Sequence, residues 1–512
     1  MAIHELIVGI DIGTTGTKAC IFTPEGRLEA KAYREYGCTF PRPGWVEQDL
    51  SMLIETAMAT CAEAVGRLEK PKAGIRAVSF STQRTCTIFL DEKEQPIRPM
   101  ISWQDNRTQK EMAAIKDILG EERFHSITGL PLNTTWCITK LLWLRNNEPE
   151  NWKRLNRFSQ LQDYVLRSFG VEGYVTDKAA VSLSGLYDLK MSRWSEEILG
   201  AFDMKGLVLP EVRKAGSLIG KVSLDASRRS GLPEGTPICV GAGDQNSAAI
   251  GAGVVQEGMM SISLGTGGLV AAFLKDYPES LSTEANIMNH AIDGSWELEG
   301  YQAGAASVYK WFRDQVATLE KAYAESTGQD AYDILSALAS QAPPGSKGLL
   351  FLPYLASACA PRWNPNARGS LLGLTFAHDK ACLLRASIEG ITMEVRDILT
   401  SMTRMGLRVQ SVRILGGPTK SELWNQMQAD IYNRRVETLK FTDTAVLGAA
   451  IFAGVGVGIF PSIAEAAKKL VKVSKIYEPN PDAVATYNRL YEVYAKAYEA
   501  LAGEVFDMLA NF

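Results

Sequence analysis

The 512-residue chain has no C-x-x-C pair, and its eight cysteines (Cys20, Cys38, Cys61, Cys86, Cys137, Cys239, Cys359 and Cys382) are scattered. That distribution excludes a disulfide framework and predicts reduced, mostly buried thiols, as expected of a cytoplasmic protein. Histidine is scarcer: His4, His125, His290 and His378 lie far apart, so no cluster with metal-ligand spacing forms. A net charge of −4, with no basic stripe, argues against nucleic acid as a partner and against a polybasic membrane patch. The longest apolar run, 445–460, is too short to span a bilayer and is interrupted by glycines. It reads as a buried helix in which Gly448 and Ala449 permit close packing, breaking into a turn near 454–458. The first residues show no basic segment followed by a cleavage site, so no export signal is expected there.

One signature occurs twice. VGIDIGTTGTK at 8–18 and SISLGTGGLV at 261–270 each drive an apolar run into a tight Gly-Thr-x-Gly turn. Gly13, Gly16, Gly265, Gly267 and Gly268 lack the side chains that would keep phosphate oxygens away from backbone N–H groups, while Thr14, Thr15 and Thr266 supply hydroxyls. Two such turns across a cleft would clamp a nucleotide polyphosphate, with Lys18 directly after the first one. Two ordinary hairpins with glycine at their bends are the alternative.

The chain is too long for one core, so two large domains are expected. Its first third alternates strands and helices: strands at 6–10 and 19–22, a helix over 50–68, strands at 75–80 and 86–91. The class is α/β. The proline- and glycine-punctuated stretch 232–244 reads as the junction between halves, and long helices are expected at 383–405, 421–433 and 487–509.

Phosphoryl transfer needs a carboxylate to take the acceptor's proton and a place for a divalent ion. Asp11, at a strand end beside the first clamp, could hold Mg2+ through water. Asp244 lies in a glycine-flanked GAGDQN stretch that reads as a helix start, and Asp105 lies in SWQDNR. On residues alone, Asp11 could equally form a turn, Asp244 cap a helix and Asp105 make a surface ion pair with Arg107.

An ordered set of blocks gives these residues context: DIGTTGTK (11–18), SWQDNRT (102–108), TKLLWL (139–144), GDQN (243–246), SLGTGG (263–268), GGPTKSELWN (416–425) and LGAAIFAGVGVG (447–458). Together they resemble the FGGY family of carbohydrate kinases, which includes xylulokinases, gluconokinases, ribulokinases and glycerol kinases. The resemblance implies two ribonuclease H-like domains, of the actin, Hsp70 and sugar-kinase superfamily, flanking a catalytic cleft. It divides the chain into 1–246, with the sugar site and first phosphate clamp, and 247–512, with the nucleotide site. It implies ATP and Mg2+, Asp244 as general base with Gln245 touching the acceptor, and Thr14, Thr15, Lys18, Thr266 and Gly267 near the phosphates. By the same resemblance Gly416 and Gly417 approach the nucleotide, and Ser421 lies near the adenine.

Arg84 and Trp103 fall where glycerol kinases touch their substrate, but Thr85 and Thr135 stand where those enzymes have Glu and Tyr. The resemblance therefore implies a four- to six-carbon sugar or polyol, a ketopentose such as xylulose first, with Arg84, Thr85, Trp103, Asp244 and Gln245 around it. A glycerol kinase-like activity is the alternative, and a non-catalytic sugar-binding regulator or an actin- or Hsp70-like ATPase are rivals from other classes. A homodimer, free of membrane and nucleic acid, is the expected form.

Overall fold

The computed structural model describes residues 5–69, 72–278 and 282–511, so His4 lies outside the described residues. Two twisted sheets organise it. The first comprises β1 (Leu6–Ile12), β2 (Gly16–Phe22), β3 (Leu28–Glu35), β4 (Ile75–Thr82), β5 (Leu218–Lys221) and β6 (Pro237–Gly243), in the order β5-β6-β4-β1-β2-β3. The second comprises β7 (Met259–Leu264), β8 (Gly268–Leu274), β9 (Asn286–Asn289), β10 (Trp296–Gln302), β11 (Ser411–Gly416), β12 (Arg435–Leu439) and β13 (Val473–Tyr477), in the order β9-β10-β8-β7-β11-β12-β13.

The two sheets repeat one plan. In each, an antiparallel meander (β1-β2-β3, then β7-β8-β10) continues into two strands parallel to its first (β4 and β6, then β11 and β12). This is the ribonuclease H-like arrangement that the family resemblance implies. Among the helices that matter here are α1 (Leu50–Gly66), α2 (Cys137–Asn147), α3 (Asp244–Gly251), α4 (Lys380–Arg404), α5 (Glu422–Tyr432), α6 (Thr444–Gly456) and α7 (Pro481–Ala502). The α1 helix starts at Asp49, whose side chain accepts from the Met52 N–H at 2.8 Å, and buries Leu53, Ala57, Cys61 and Ala64 on β1–β3.

Helices α3 and α6 lie between the sheets. Ala249 and Ala252, on α3 and just past its end, pack with Phe273 and Leu415 of the second sheet. Ile250 joins Val446, Ala450 and Ile451 of α6 against Ile7 and Phe22 of the first. Their approach leaves no room for a Cβ: one built on Gly448 would run into the Ser247 carbonyl, one on Gly251 into the Thr444 carbonyl, and one on Gly9 of β1 into the Val446 carbonyl. The 445–460 run thus supplies a buried helix, as expected, though it stays helical through Gly454 to Gly456, where the missing side chains leave room for the Phe460 ring and for Cys239 Sγ. The stretch 232–244, expected as a junction, instead supplies β6 inside the first sheet; its alternation of small and apolar residues fits a strand buried on both faces. The C-terminal helix ends at Ala502, and a short separate helix, Val505–Ala510, follows Gly503.

All eight cysteines are free thiols, six of them buried. No helix among the described residues is long and apolar enough to cross a membrane. Within the second half, α4 carries a carboxylate into the core: Glu394 accepts from Gln302 Nε2 at 2.7 Å, and burial pushes its pKa up from 4.5 to about 8.

Two outcomes follow for stability. Gly448→Val forces a branched side chain into the Ser247 backbone and should lower unfolding free energy by about 1–3 kcal/mol or more; an unchanged denaturation midpoint would show that the crossing relaxes freely. Because the folded-state pKa of Glu394 is raised, its contribution is full below about 4.5 and is lost as pH rises through about 8. Melting temperature should therefore fall progressively between about pH 5 and 8 in the wild type, and Glu394→Gln should flatten that fall.

Candidate functional site

Parallel pairing brings the first set of residues to one edge. Ile12 of β1 pairs with Thr82 of β4, and Thr82 with Gly243 of β6, so the Gly13–Gly16 turn, Gln83-Arg84 and Asp244-Gln245 all leave the sheet at its carboxyl ends, where ligand crevices of such sheets lie. The turn is closed by Gly13 N–H donating to the Gly16 carbonyl at 3.0 Å. It is braced from behind: Gln48 Nε2 donates to the Thr14 carbonyl at 2.9 Å, and Gln83 Nε2 to Gln48 Oε1 at 2.8 Å. Trp103 Nε1 donates to Thr14 Oγ1 at 2.9 Å, tying the SWQDNRT loop to the clamp, while Thr15 is exposed at the tip.

The second set is built the same way. Gly265 N–H donates to the Gly267 carbonyl at 2.9 Å, and the Thr266 carbonyl accepts from Ala305 N–H at 2.9 Å and Ser307 Oγ at 2.6 Å, leaving an exposed threonine. Leu264 pairs with Gly416, which sets the Gly416-Gly417 turn beside this hairpin. Gly416 has φ +96°, and a Cβ there would strike the Leu264 carbonyl, so the close pairing requires glycine. Ser421 caps α5 through the Trp424 N–H and meets Ser336 Oγ at 3.1 Å. Thr266, Gly267, Gly416 and Gly417 therefore form one group, with Ser421 just beyond it.

Charge is concentrated at the first hairpin. Asp11 lies within β1 rather than in a turn and accepts from Ser81 Oγ at 2.7 Å. Burial, reinforced by the nearby carboxylates of Asp244 and Asp443, pushes its pKa up to about 7, against the opposing pull of Ser81 and Lys18. Lys18, paired across the hairpin with Asp11, forms a short ion pair with Asp443, just before α6. Asp244 is the first residue of α3, one place past the cap position held by Gly243. Burial raises its pKa, opposed by Arg84 and by the Gln245 N–H, which donates to Asp244 Oδ1 at 2.8 Å.

Arg84 joins the two halves. Its side chain is 10 % exposed; Nη2 lies 2.7 Å from Glu299 Oε2 on β10, and Nε 3.4 Å from Asp244 Oδ1. Gly243 makes room for its stem, since a Cβ there would meet Arg84 Cδ and Cγ. Thr85 follows with φ +56°, its Oγ1 donating to the Arg84 carbonyl at 2.8 Å.

Asp105 is no surface residue. It is fully buried, accepts from the Val46 N–H at 2.6 Å, and is forked by Arg107, whose guanidinium stacks 3.7 Å from the Trp45 ring. Its oxygens are used in holding the SWQDNRT loop, which takes it out of the chemistry. Four contributors escaped the sequence reading: Gln48, Lys140, Glu299 and Asp443. Lys140 and Asp443 lie in or beside blocks already picked out, TKLLWL and LGAA. Gln48 ends the two-residue strand Glu47–Gln48 and Glu299 lies in the middle of β10, neither with a local signal.

The family model for the FGGY carbohydrate kinase N-terminal domain matches residues 6–251, and that for the C-terminal domain residues 260–457. The chain is 29% identical over 508 residues to a gluconokinase from Bacillus subtilis (strain 168), covering 99% of this chain and 98% of that protein. It is 31% identical over 473 residues to a glycerol kinase from Burkholderia multivorans, covering 90% and 91%. The fold superposes with a TM-score of 0.90 on a ligand-bound xylulose kinase from Lactobacillus acidophilus, 26% identical and covering 98% of this chain and 100% of that one. Two matched hairpins, a carboxylate at a helix start between them and family models spanning both halves lead to one assignment: this chain belongs to the FGGY family of ATP-using carbohydrate kinases.

Proposed function

We propose that the protein transfers the γ-phosphoryl group of ATP to a hydroxyl of a four- to six-carbon sugar or polyol, a ketopentose such as xylulose first. The observation that carries this reading is the placement of Asp244 at the start of α3, between the two clamp hairpins and beside Arg84. Asp244 takes the acceptor hydroxyl's proton, and Gln245 orients that hydroxyl. A base of this kind need only be ionised and aligned; burial raises the Asp244 pKa, and Arg84 opposes that by favouring the carboxylate.

The backbone N–H groups and hydroxyls of Thr14, Thr15, Thr266 and Gly267 hold the phosphate chain from two sides, Lys18 exchanges Asp443 for phosphate oxygen, and Gly416, Gly417 and Ser421 receive the nucleoside end. Among the described residues no group of three His, Cys, Asp or Glu could hold a metal ion unaided. The residues nonetheless fit an ion that arrives on phosphate: Asp11 and Asp244 repel one another with Lys18 as the nearby lysine, a deficit that a divalent cation relieves. Asp11 would hold Mg2+ through water, and the ion, when bound, neutralises charge on the phosphates. The division into a sugar-binding half, 1–246, and a nucleotide-binding half, 247–512, belongs to the same reading.

Within the acceptor site Trp103 offers a ring to a sugar's C–H face, and Arg84 with Thr85 supplies further contacts. Arg84, Trp103 and the likeness to a glycerol kinase favour a second reading, a three-carbon polyol. Thr85 and Thr135 favour the longer acceptor, because they remove the carboxylate and the aromatic wall that the shorter one would need.

Asp244→Asn should lower turnover by about 10²–10⁴-fold while ATP binding, followed by calorimetry, stays near wild type; retained turnover would remove Asp244 from the base role. In a coupled ADP-release assay across pentuloses, aldonates, tetritols and glycerol, the preferred sugar or polyol should exceed glycerol by more than roughly tenfold in kcat/KM. Glycerol as the best acceptor would replace the first reading with the second.

A further inference from the structure

Lys140 is a charge in an expensive place. It sits in the first turn of α2, where the helix dipole disfavours a cation, and it has no exposed surface. Burial pulls its pKa down from the ordinary lysine value. Its neighbours are the thiols of Cys86 and Cys137, themselves pushed up by burial and therefore neutral, with Asp105 committed to Arg107. Among the described residues Lys140 has no carboxylate in hydrogen-bond or ion-pair contact.

Two backbone carbonyls accept from its ammonium: Thr135 at 2.8 Å and Thr85 at 3.1 Å. These belong to the two positions at which this chain departs from the glycerol kinase pattern, brought together from segments fifty residues apart. Thr85 needs the help. A β-branched residue at φ +56° is strained, and its hydroxyl is turned back onto the Arg84 carbonyl. Thr135 is held on its other side, with its N–H and Oγ1 donating to Asn133 Oδ1 at 2.9 and 2.7 Å.

We propose that Lys140 is a positioning residue for the acceptor: by holding the Thr85 and Thr135 carbonyls on one ammonium it fixes two walls of the pocket and so sets which polyhydroxy acceptor fits. The proposal rests on the acceptor site described above. A cation serving the core alone would affect stability and leave acceptor selectivity untouched, whereas loosened walls raise KM for the acceptor and level the preference among acceptors.

The test is steady-state kinetics on full-length Lys140→Met, with D-xylulose, gluconate and glycerol as acceptors and Trp103→Ala as reference. Expected for Lys140→Met are a KM for the best acceptor raised at least tenfold, a kcat/KM ratio between best and worst acceptor reduced at least fivefold, and a KM for ATP within twofold of wild type. Thr85→Gly adopts positive φ without strain, so Lys140→Met should cost less in that background, a non-additive double-mutant cycle. Should Lys140→Met not fold, Lys140→Gln, which keeps N–H donors without the charge, is read in its place. Unchanged acceptor KM and selectivity in a folded Lys140 variant, with Trp103→Ala shifted, overturns the role of Lys140 alone. No shift in either variant overturns the acceptor site as well.

Discussion

The structure depends on a place where two helices may carry no side chain. At Gly448 and Gly251, α6 and α3 cross with backbone against backbone, and Gly9 lets β1 press on α6 from the other side. Only that spacing allows one helix pair to belong to both sheets, with α3 leaving the first and packing on the second, and α6 leaving the second and packing on the first. Both helices begin at the cleft, at Asp244 and just after Asp443. Their N-termini thus bring two acidic residues to the edge where the first hairpin turns, and any sliding of one helix over the other moves those residues with it.

Above this crossing sits a charge network in which few members have a partner to themselves. Arg84 is shared between Asp244 and Glu299, one from each half, and Lys18 lies between Asp11 and Asp443. Burial raises the pKa of Asp11 to about 7 and raises that of Asp244 as well, with Lys18 and Arg84 pulling against it. The sharing also means that the reach of Arg84 across the cleft measures how far the halves stand apart.

Much of this was legible in the sequence because it is local. A Gly-Thr-x-Gly turn between apolar runs can hardly fold as anything but a hairpin, and both copies do; Asp244 before a string of small residues is a helix start. What depends on distant partners was not legible. The stretch 232–244 looks like a linker by its prolines and glycines, yet it is a central strand, since its neighbours β4 and β5 come from 75–82 and 218–221. Asp105 looked like half of a surface pair because its partner is two residues away, but Trp45, Trp143 and Glu47 bury that pair. Glu299 carries no mark at all, for its meaning comes from an arginine more than two hundred residues earlier.

The two hairpins share a fold but not a chemistry. At the cross-strand position where the first has Asp11 opposite Lys18, the second has Ser263 opposite Leu269. The two turns are closed alike, each by the N–H of its first glycine, yet only the first carries formal charge on this pair. The near-repeat of the backbone is thus broken in its side chains: an acid and a base face each other on the first hairpin, and an alcohol and an aliphatic group on the second, so the two turns present different electrostatic surfaces.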